Sequence, residues 1–399
     1  MLIIAGLAAA CSRERPLDEQ IEAHLQRGDA AQAMALVERA LRDQPGSAAI
    51  QDLRVRVLLR IDAPDAALRA YAERWGQGVP DSPAVFREVA AGLLQAGLRA
   101  PDGVLRSRAA GALAEWRAPD LLPVFREAVA HPDASVRALG VQGLGKLPGE
   151  EPARLLLGAF DDLQAEVRAA AAAASAGRSD PETRAALERA LTDADPLVRM
   201  RAAATLAKDG NGVATGLLAT LLADGRDSIR MQSAEAVGHL GLRETAPKLR
   251  GLLSDANPYV RIYAAEALVR LGAADARRVL TAGLSHPDRS VALYSAEALS
   301  NLGDAAGSGI LVEALGSDRD PSLRLYAAWT LARLNDARGL STLEELCLHP
   351  DVQVRMQAVW TLGEMRDGVG GSGLKRSVLD SAPPVRWQAA WSLAKGMGS

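Results

Sequence analysis

From residue 105 onward, apolar positions return in one phase every 31 residues. Leu105, Val136, Val167, Val198, Ile229, Val260, Val291, Leu323, Val354 and Val385 stand 31 apart, with one gap of 32 between Val291 and Leu323. Four positions after each anchor the residue is small and eight positions after it is large, as in Ala202 and Leu206, Ala264 and Leu268, Ala327 and Leu331, and Ala389 and Leu393. On a helix turning about 100° per residue these positions fall about 40° and 80° from the anchor, so all three share a face. The small residue admits a neighbouring helix and the leucine fills the space beside it. Asp195-Pro196, Asn257-Pro258 and Asp320-Pro321 supply a capping side chain followed by proline at the first helical position, and Asp133, Asp288 and Asp351 cap without the proline. A second amphipathic run lies upstream, such as 183–191 or 217–222, so each unit is a helical hairpin. A hairpin this short cannot bury its own apolar face, so neighbours must stack. No strand-like alternation is present, and the pattern predicts an all-α chain built as an α-solenoid.

The phrase Asp-Pro-Leu-Val-Arg at 195–199, recurring in register, resembles the HEAT repeat and in particular its short bacterial, phycobilisome-lyase-like form. The resemblance covers 83–399, about ten repeats, and implies a right-handed superhelix whose second helices line the concave face. Ser175 replaces the expected leucine and Ala292 the expected arginine, lapses that a stability summed over neighbours tolerates. Residues 12–82 read differently. Gly28, Ala33 and Pro45, echoed by Ala67, Tyr71 and Pro80, resemble tetratricopeptide repeats, the other reading being an irregular helical cap on the solenoid.

Residues 1–11 form an uncharged apolar stretch ending at Cys11 behind Leu7-Ala8-Ala9-Ala10, which resembles a lipoprotein-type signal with a lipidated cysteine. The stretch is too short to span a bilayer. By that resemblance the chain is lipid-anchored in a bacterial cell envelope, facing the periplasm and at the outer membrane rather than the inner. A cytoplasmic location follows if the segment is no signal. Lysine and arginine (46) nearly balance aspartate and glutamate (49), so the basic excess of a general nucleic-acid binder is missing. Cys347, the second cysteine, sits in an amphipathic run as a small buried residue rather than a reactive thiol.

Catalytic patterns are lacking. None of the five histidines has a metal-ligand neighbour, and three stand in His-Pro-Asp turns, where imidazole meets the negative end of the preceding helix. No phosphate loop or nucleophile elbow is present, and neither a cofactor nor a metal is expected. Deoxyhypusine hydroxylase, a HEAT-type oxidoreductase, holds iron with His-Glu pairs that this chain lacks. An enzyme of that kind, a phycobilin lyase, and a purely structural spacer are the alternatives to a non-enzymatic interaction scaffold.

The arginine after the anchor forms a column, Arg137, Arg168, Arg199, Arg230, Arg261, Arg324, Arg355 and Arg386. An Asp or Asn three or four positions upstream makes it a structural ladder of ion pairs in preference to a phosphate grip. Six positions after the anchor, about 240° round, Glu235, Glu266 and Glu297 are followed by Trp329, Trp360 and Trp391. Tyr263, Tyr294 and Tyr326 line up three positions after the anchor, and Leu325, Met356 and Trp387 two positions after. These columns predict a partner-binding groove for a protein or peptide, unless curvature buries the rings between repeats. The last repeat shows no polar cap, so its end is a surface on which two copies could pair.

Overall fold

The computed structural model describes residues 15–116, 119–317, 320–365 and 371–396. Cys11 and the signal-like segment lie outside the described residues. Among those described, all regular elements are helical, and no helix is long and apolar enough to cross a membrane. The chain divides into two compact units, Met1–Gly92 and Leu93–Ser399, and the division falls inside the helix Pro83–Leu98.

The first unit is built from α1 (Leu17–Gln26), α2 (Ala30–Asp43), α3 (Ala48–Arg60), α4 (Pro64–Gly76) and the start of α5 (Pro83–Leu98). Gly28 turns between α1 and α2 at φ +76°, and Asp29 caps α2 by accepting from the Gln32 amide. Ile21, Ala33, Val37, Ile50 and Val57 form one apolar cluster. Near the α4 end, buried Arg74 pairs with Asp52, donates to the Pro80 carbonyl at 2.7 Å, and lies over the Tyr71 ring. That network ties α3, α4 and the following turn together around a buried cation whose two terminal nitrogens are bonded.

In the second unit long inner helices alternate with shorter outer ones. The inner set is α6 (Gly103–Glu115), α8 (Ala134–Leu144), α10 (Ala165–Ala174), α12 (Pro196–Ala207), α14 (Asp227–Leu240), α16 (Pro258–Arg270), α18 (Arg289–Asn301), α20 (Pro321–Arg333), α22 (Val352–Gly363) and α24 (Pro383–Gly396). Between them run α7 (Leu122–Val129), α9 (Glu150–Gly158), α11 (Pro181–Ala190), α13 (Gly212–Leu221), α15 (Ala246–Leu252), α17 (Arg277–Gly283), α19 (Ser308–Ser317), α21 (Ala337–Leu346) and α23 (Gly371–Ser377). The six capping residues read from sequence accept from the amide two positions on at 2.7–3.0 Å. The small and large columns are buried throughout, from Ala109 and Leu113 to Ala389 and Leu393. At the degenerate repeat, Ser175 remains in the core because its hydroxyl donates to the Ala171 carbonyl at 2.8 Å.

Each inner helix packs on the next, and α24 packs back on α6, so the ten form a closed cycle. Trp391 is 1% exposed, and a Cβ added to Gly97 in α5 would stand 3.3 Å from its indole. Lys395 reaches Glu364 at 2.8 Å in its own neighbour and Glu115 at 3.7 Å across the closure. The first repeat thus receives the last as an ordinary successor. This corrects the open end expected from sequence: without a polar cap, the apolar face of α24 is covered by α6 of the same chain.

Candidate functional site: the inner face of the closed array

One rim of the second unit carries the arginine column. Arg137, Arg168, Arg230 and Arg355 each grip a carboxylate 25 residues downstream, Asp162, Asp193, Asp255 and Asp380, with Nε to oxygen distances of 2.7–2.8 Å. The same guanidinium donates to the carbonyl six positions upstream, as Arg168 does to Asp162 at 2.8 Å and Arg355 to His349 at 2.8 Å. Arg199, Arg261 and Arg386 make the carbonyl bonds as well, and Arg324 reaches the Leu315 carbonyl and Glu345. The paired carboxylate belongs to the next repeat rather than to the cap upstream, and Arg230 with Asp227 at 2.5 Å is the local exception. These arginines stitch neighbouring turns. Hydrogen bonds from Arg137 and Arg168 hold Asp162 and Asp193 below the usual carboxylate range, against the opposing effect of burial.

The three His-Pro-Asp turns belong to the same rim. Nδ1 of His131, His286 and His349 accepts the amide of the aspartate two positions on at 3.0–3.1 Å. In five other repeats an aspartate does this, as Asp193 does for the Asp195 amide at 2.8 Å. The imidazole thus closes the turn between the two helices through Nδ1, accepting the amide at the start of the inner helix. Its place is taken by carboxylate elsewhere because both offer a lone pair at the same reach.

The inner face carries the chemistry that varies. Tyr294 stacks between Tyr259 and Tyr326, with ring centroids 5.1 and 4.8 Å away, and Tyr326 meets Trp329 at 5.9 Å. Arg333 lies 4.4 Å over the Trp329 ring while bonding Glu297 at 3.1 Å and Asn301 at 2.6 Å. The Tyr326 hydroxyl also donates to Glu297. Burial raises the Glu297 carboxyl above its ordinary range despite those two donors, and burial together with Glu297 raises the Tyr326 phenol. Burial and the carboxylates of Glu235 and Glu297 push Tyr263 up to about 12. Glu266 is bonded by Arg270 at 2.7 Å, so two of the three glutamates are engaged within the chain, and exposed Glu235 faces the lumen.

Between α6, α20 and α22 this face opens into a cavity of about 510 Å³, walled by Tyr326, Trp329 and Trp360 and reached by Arg108. Leu325, 7% exposed, forms part of its floor. A second cavity of about 580 Å³ lies on the α6 side and shares Arg108 and Trp360. Arg108 donates to Gln357 Oε1 at 2.8 Å, across the closure.

A family model for HEAT repeats matches residues 90–176, 153–238, 214–300, 245–320 and 308–394. The chain belongs to the HEAT-repeat family. Among curated proteins, none matches its sequence. Human deoxyhypusine hydroxylase in complex with glycerol is 18% identical with a TM-score of 0.33, over 61% of this chain and 96% of that one. The CpcE–CpcF complex of phycocyanin lyase from Nostoc sp. is 17% identical with a TM-score of 0.35, over 67% and 95%. An engineered protein is 18% identical with a TM-score of 0.28, over 78% and 99%. Likeness at these values carries no weight for function. Among the described residues no group of three or more His, Cys, Asp or Glu side chains could hold a metal ion.

Within this HEAT array the residues picked from sequence separate by angle. Positions three, six and ten after the anchor lie about 300°, 240° and 280° round the inner helix and face the lumen. Tyr263, Tyr294, Tyr326, Glu266, Glu297, Trp329 and Trp360 are accordingly partly accessible. Position two, about 200° round, turns toward the neighbouring helix. Met356 is 1% exposed and belongs to the core, which corrects its assignment to the groove, and Leu325 offers the lumen only an edge. Trp391 has the right angle but is covered by the closure, and half-buried Trp387 packs against it at 6.4 Å. Sequence reasoning missed Arg108, which heads the tyrosine column three positions after Leu105, and Arg333, which lies ten positions after Leu323. Carrying the tyrosine column back to the first anchor, five repeats before Tyr263, and adding the tenth position, would have found both. Cys347 is buried, which pushes its thiol up to about 11.

Proposed function

We propose that this HEAT protein is a non-enzymatic interaction scaffold that binds an extended segment of another protein along its lumen. The observation that supports the reading is the strip Tyr263, Tyr294, Tyr326, Trp329 and Trp360, five aromatic side chains on four successive inner helices, all still partly accessible. Aromatic side chains combine large area with few rotatable bonds and are enriched at binding hot spots. Photocrosslinking from positions 263 and 294 in cells, followed by mass spectrometry, tests it. One protein recovered from both positions, and lost on Trp360→Ala with an unchanged melting temperature, is the expected result. Crosslinks that are absent or scattered would sink the reading.

In this proposal the amino-terminal unit is tetratricopeptide-like, and Cys11 carries a lipid that holds the scaffold at the cell envelope, at the outer membrane facing the periplasm. Incorporation of labelled palmitate that disappears in Cys11→Ser checks the anchor. Label retained in that variant, or never incorporated, removes it.

A further inference from the structure

The guanidinium of Arg108 sets the chemistry of whatever fills the cavity between α6, α20 and α22. It is half-buried, and its interaction within the described residues is the single bond to Gln357 Oε1. Other half-buried arginines of this unit meet a carboxylate or turn carbonyls, as Arg168 meets Asp193 and two carbonyls. Arg108 meets neither, although a guanidinium has five N–H donors in a planar fork suited to a carboxylate. Around it stand the indoles of Trp329 and Trp360 and the ring of Tyr326, with Gln353 as a further polar group. A volume of about 510 Å³ is in the range of small-ligand pockets.

We propose that this cavity receives the C-terminal carboxylate of the bound segment, with its last, apolar or aromatic side chain seated between Trp329 and Trp360. The proposal rests on the lumen reading above and adds the identity of the end that binds. Charge complementarity carries it. A partly desolvated cation lacking an anion gains more from a carboxylate than from a neutral group, because the Coulomb term grows as water is excluded. Burial without a neighbouring carboxylate already lowers the hold of Arg108 on its proton, and an incoming anion would reverse that. The acidic column, by contrast, offers a basic segment little beyond Glu235, since Glu266 and Glu297 are engaged by Arg270 and Arg333.

Titration of the purified full chain with N-acetyl-phenylalanine and with N-acetyl-phenylalaninamide, read by tryptophan fluorescence excited at long wavelength, tests the assignment. The acid should bind at least about tenfold more tightly than the amide, a difference of about 1.4 kcal/mol. Arg108→Gln should remove the preference while leaving the melting temperature unchanged, because no carboxylate is orphaned. Equal affinity for the two probes, no binding of either at millimolar concentration, or a preference that survives Arg108→Gln would overturn it. The photocrosslinking partner separates this failure from that of the lumen reading. If Trp360→Ala abolishes its capture and Arg108→Gln does not, the segment binds without its terminus on Arg108. If neither variant matters, both readings fall.

Discussion

The inner helices α8 to α12 and α14 to α22 share one scaffold and carry different lumenal surfaces. In both halves the rim ladder repeats at the same geometry, Arg168 to Asp193 at 2.7 Å in one and Arg355 to Asp380 at 2.8 Å in the other. In both, the small and large columns are buried. The lumenal positions differ. The first half shows Leu139, Ala170 and Arg201 with Gln142, Ala173 and Ala204, whereas the second shows three tyrosines between Gln232 and Gln357, with three glutamates followed by two tryptophans. Where the side chain serves stacking, the repeat holds its residue type. Where it faces the lumen, the type changes along the array, and the proposed binding surface rests on that change.

The largest effect should come from the place where the two halves meet. Trp391 is fully buried beside Gly97 and closes the cycle. Trp391→Ala is expected to cost about 3–5 kcal/mol. It should also raise the radius of gyration in small-angle scattering as α24 leaves α6. A compact variant of unchanged stability would show that the closure does not depend on this ring.

Close approach between inner helices sets the next step, and it should be the same in both halves. A Cβ on Gly145 would stand 2.5 Å from the Ala174 carbonyl oxygen, and one on Gly238 would stand 2.8 Å from the Ala267 Cα. Both glycines lie nine positions after their anchors and face the seventh position of the following repeat. Gly145→Ala and Gly238→Ala should each lose about 1–3 kcal/mol in chemical denaturation. A large cost in one half alone would break the equivalence of the two scaffolds.

The ladder comes third. The pair Arg168 and Asp193 is sheltered on both sides, and Asp193→Asn is expected to cost about 1–2 kcal/mol at neutral pH. Because Arg168 holds the Asp193 carboxyl below its ordinary range, its contribution is fully present above the unfolded value of about 3.9 and fades as pH falls through the lower folded value. The gap between wild type and Asp193→Asn should therefore close below about pH 4. Asp380→Asn in the second half tests whether the rim behaves alike there.

The scaffold was legible because stacking repeats: ten anchors in phase, with capping residues at fixed offsets, state the hairpin and its buried face. Angle alone also separated Trp360 from the core. The closure was not legible, since nothing in one repeat states how many repeats bring the array round onto itself, and it is closure that buries Trp391 and sets Arg108 beside Gln357. Met356 was misplaced because 200° and 240° look alike on a helical wheel until a neighbour occupies one of them. The carboxylates that pair with the rim arginines were missed for a related reason, as they lie one repeat away in sequence and adjacent in space.

The smallest effect on stability should come from the residue with the largest effect on function. Trp360 is partly accessible and faces two cavities, so truncating it removes wall rather than core. Trp360→Ala should shift stability by less than about 1 kcal/mol, in line with substitutions away from buried packing. Alanine at Leu139, the lumenal position of the first half, should be equally mild and leave crosslinked partner unchanged. If Leu139→Ala and Trp360→Ala impair capture equally, the contrast between the halves is one of composition without function. Loss confined to Trp360→Ala places recognition on the aromatic half, because the two variants then differ in the surface removed and not in the scaffold that carries it.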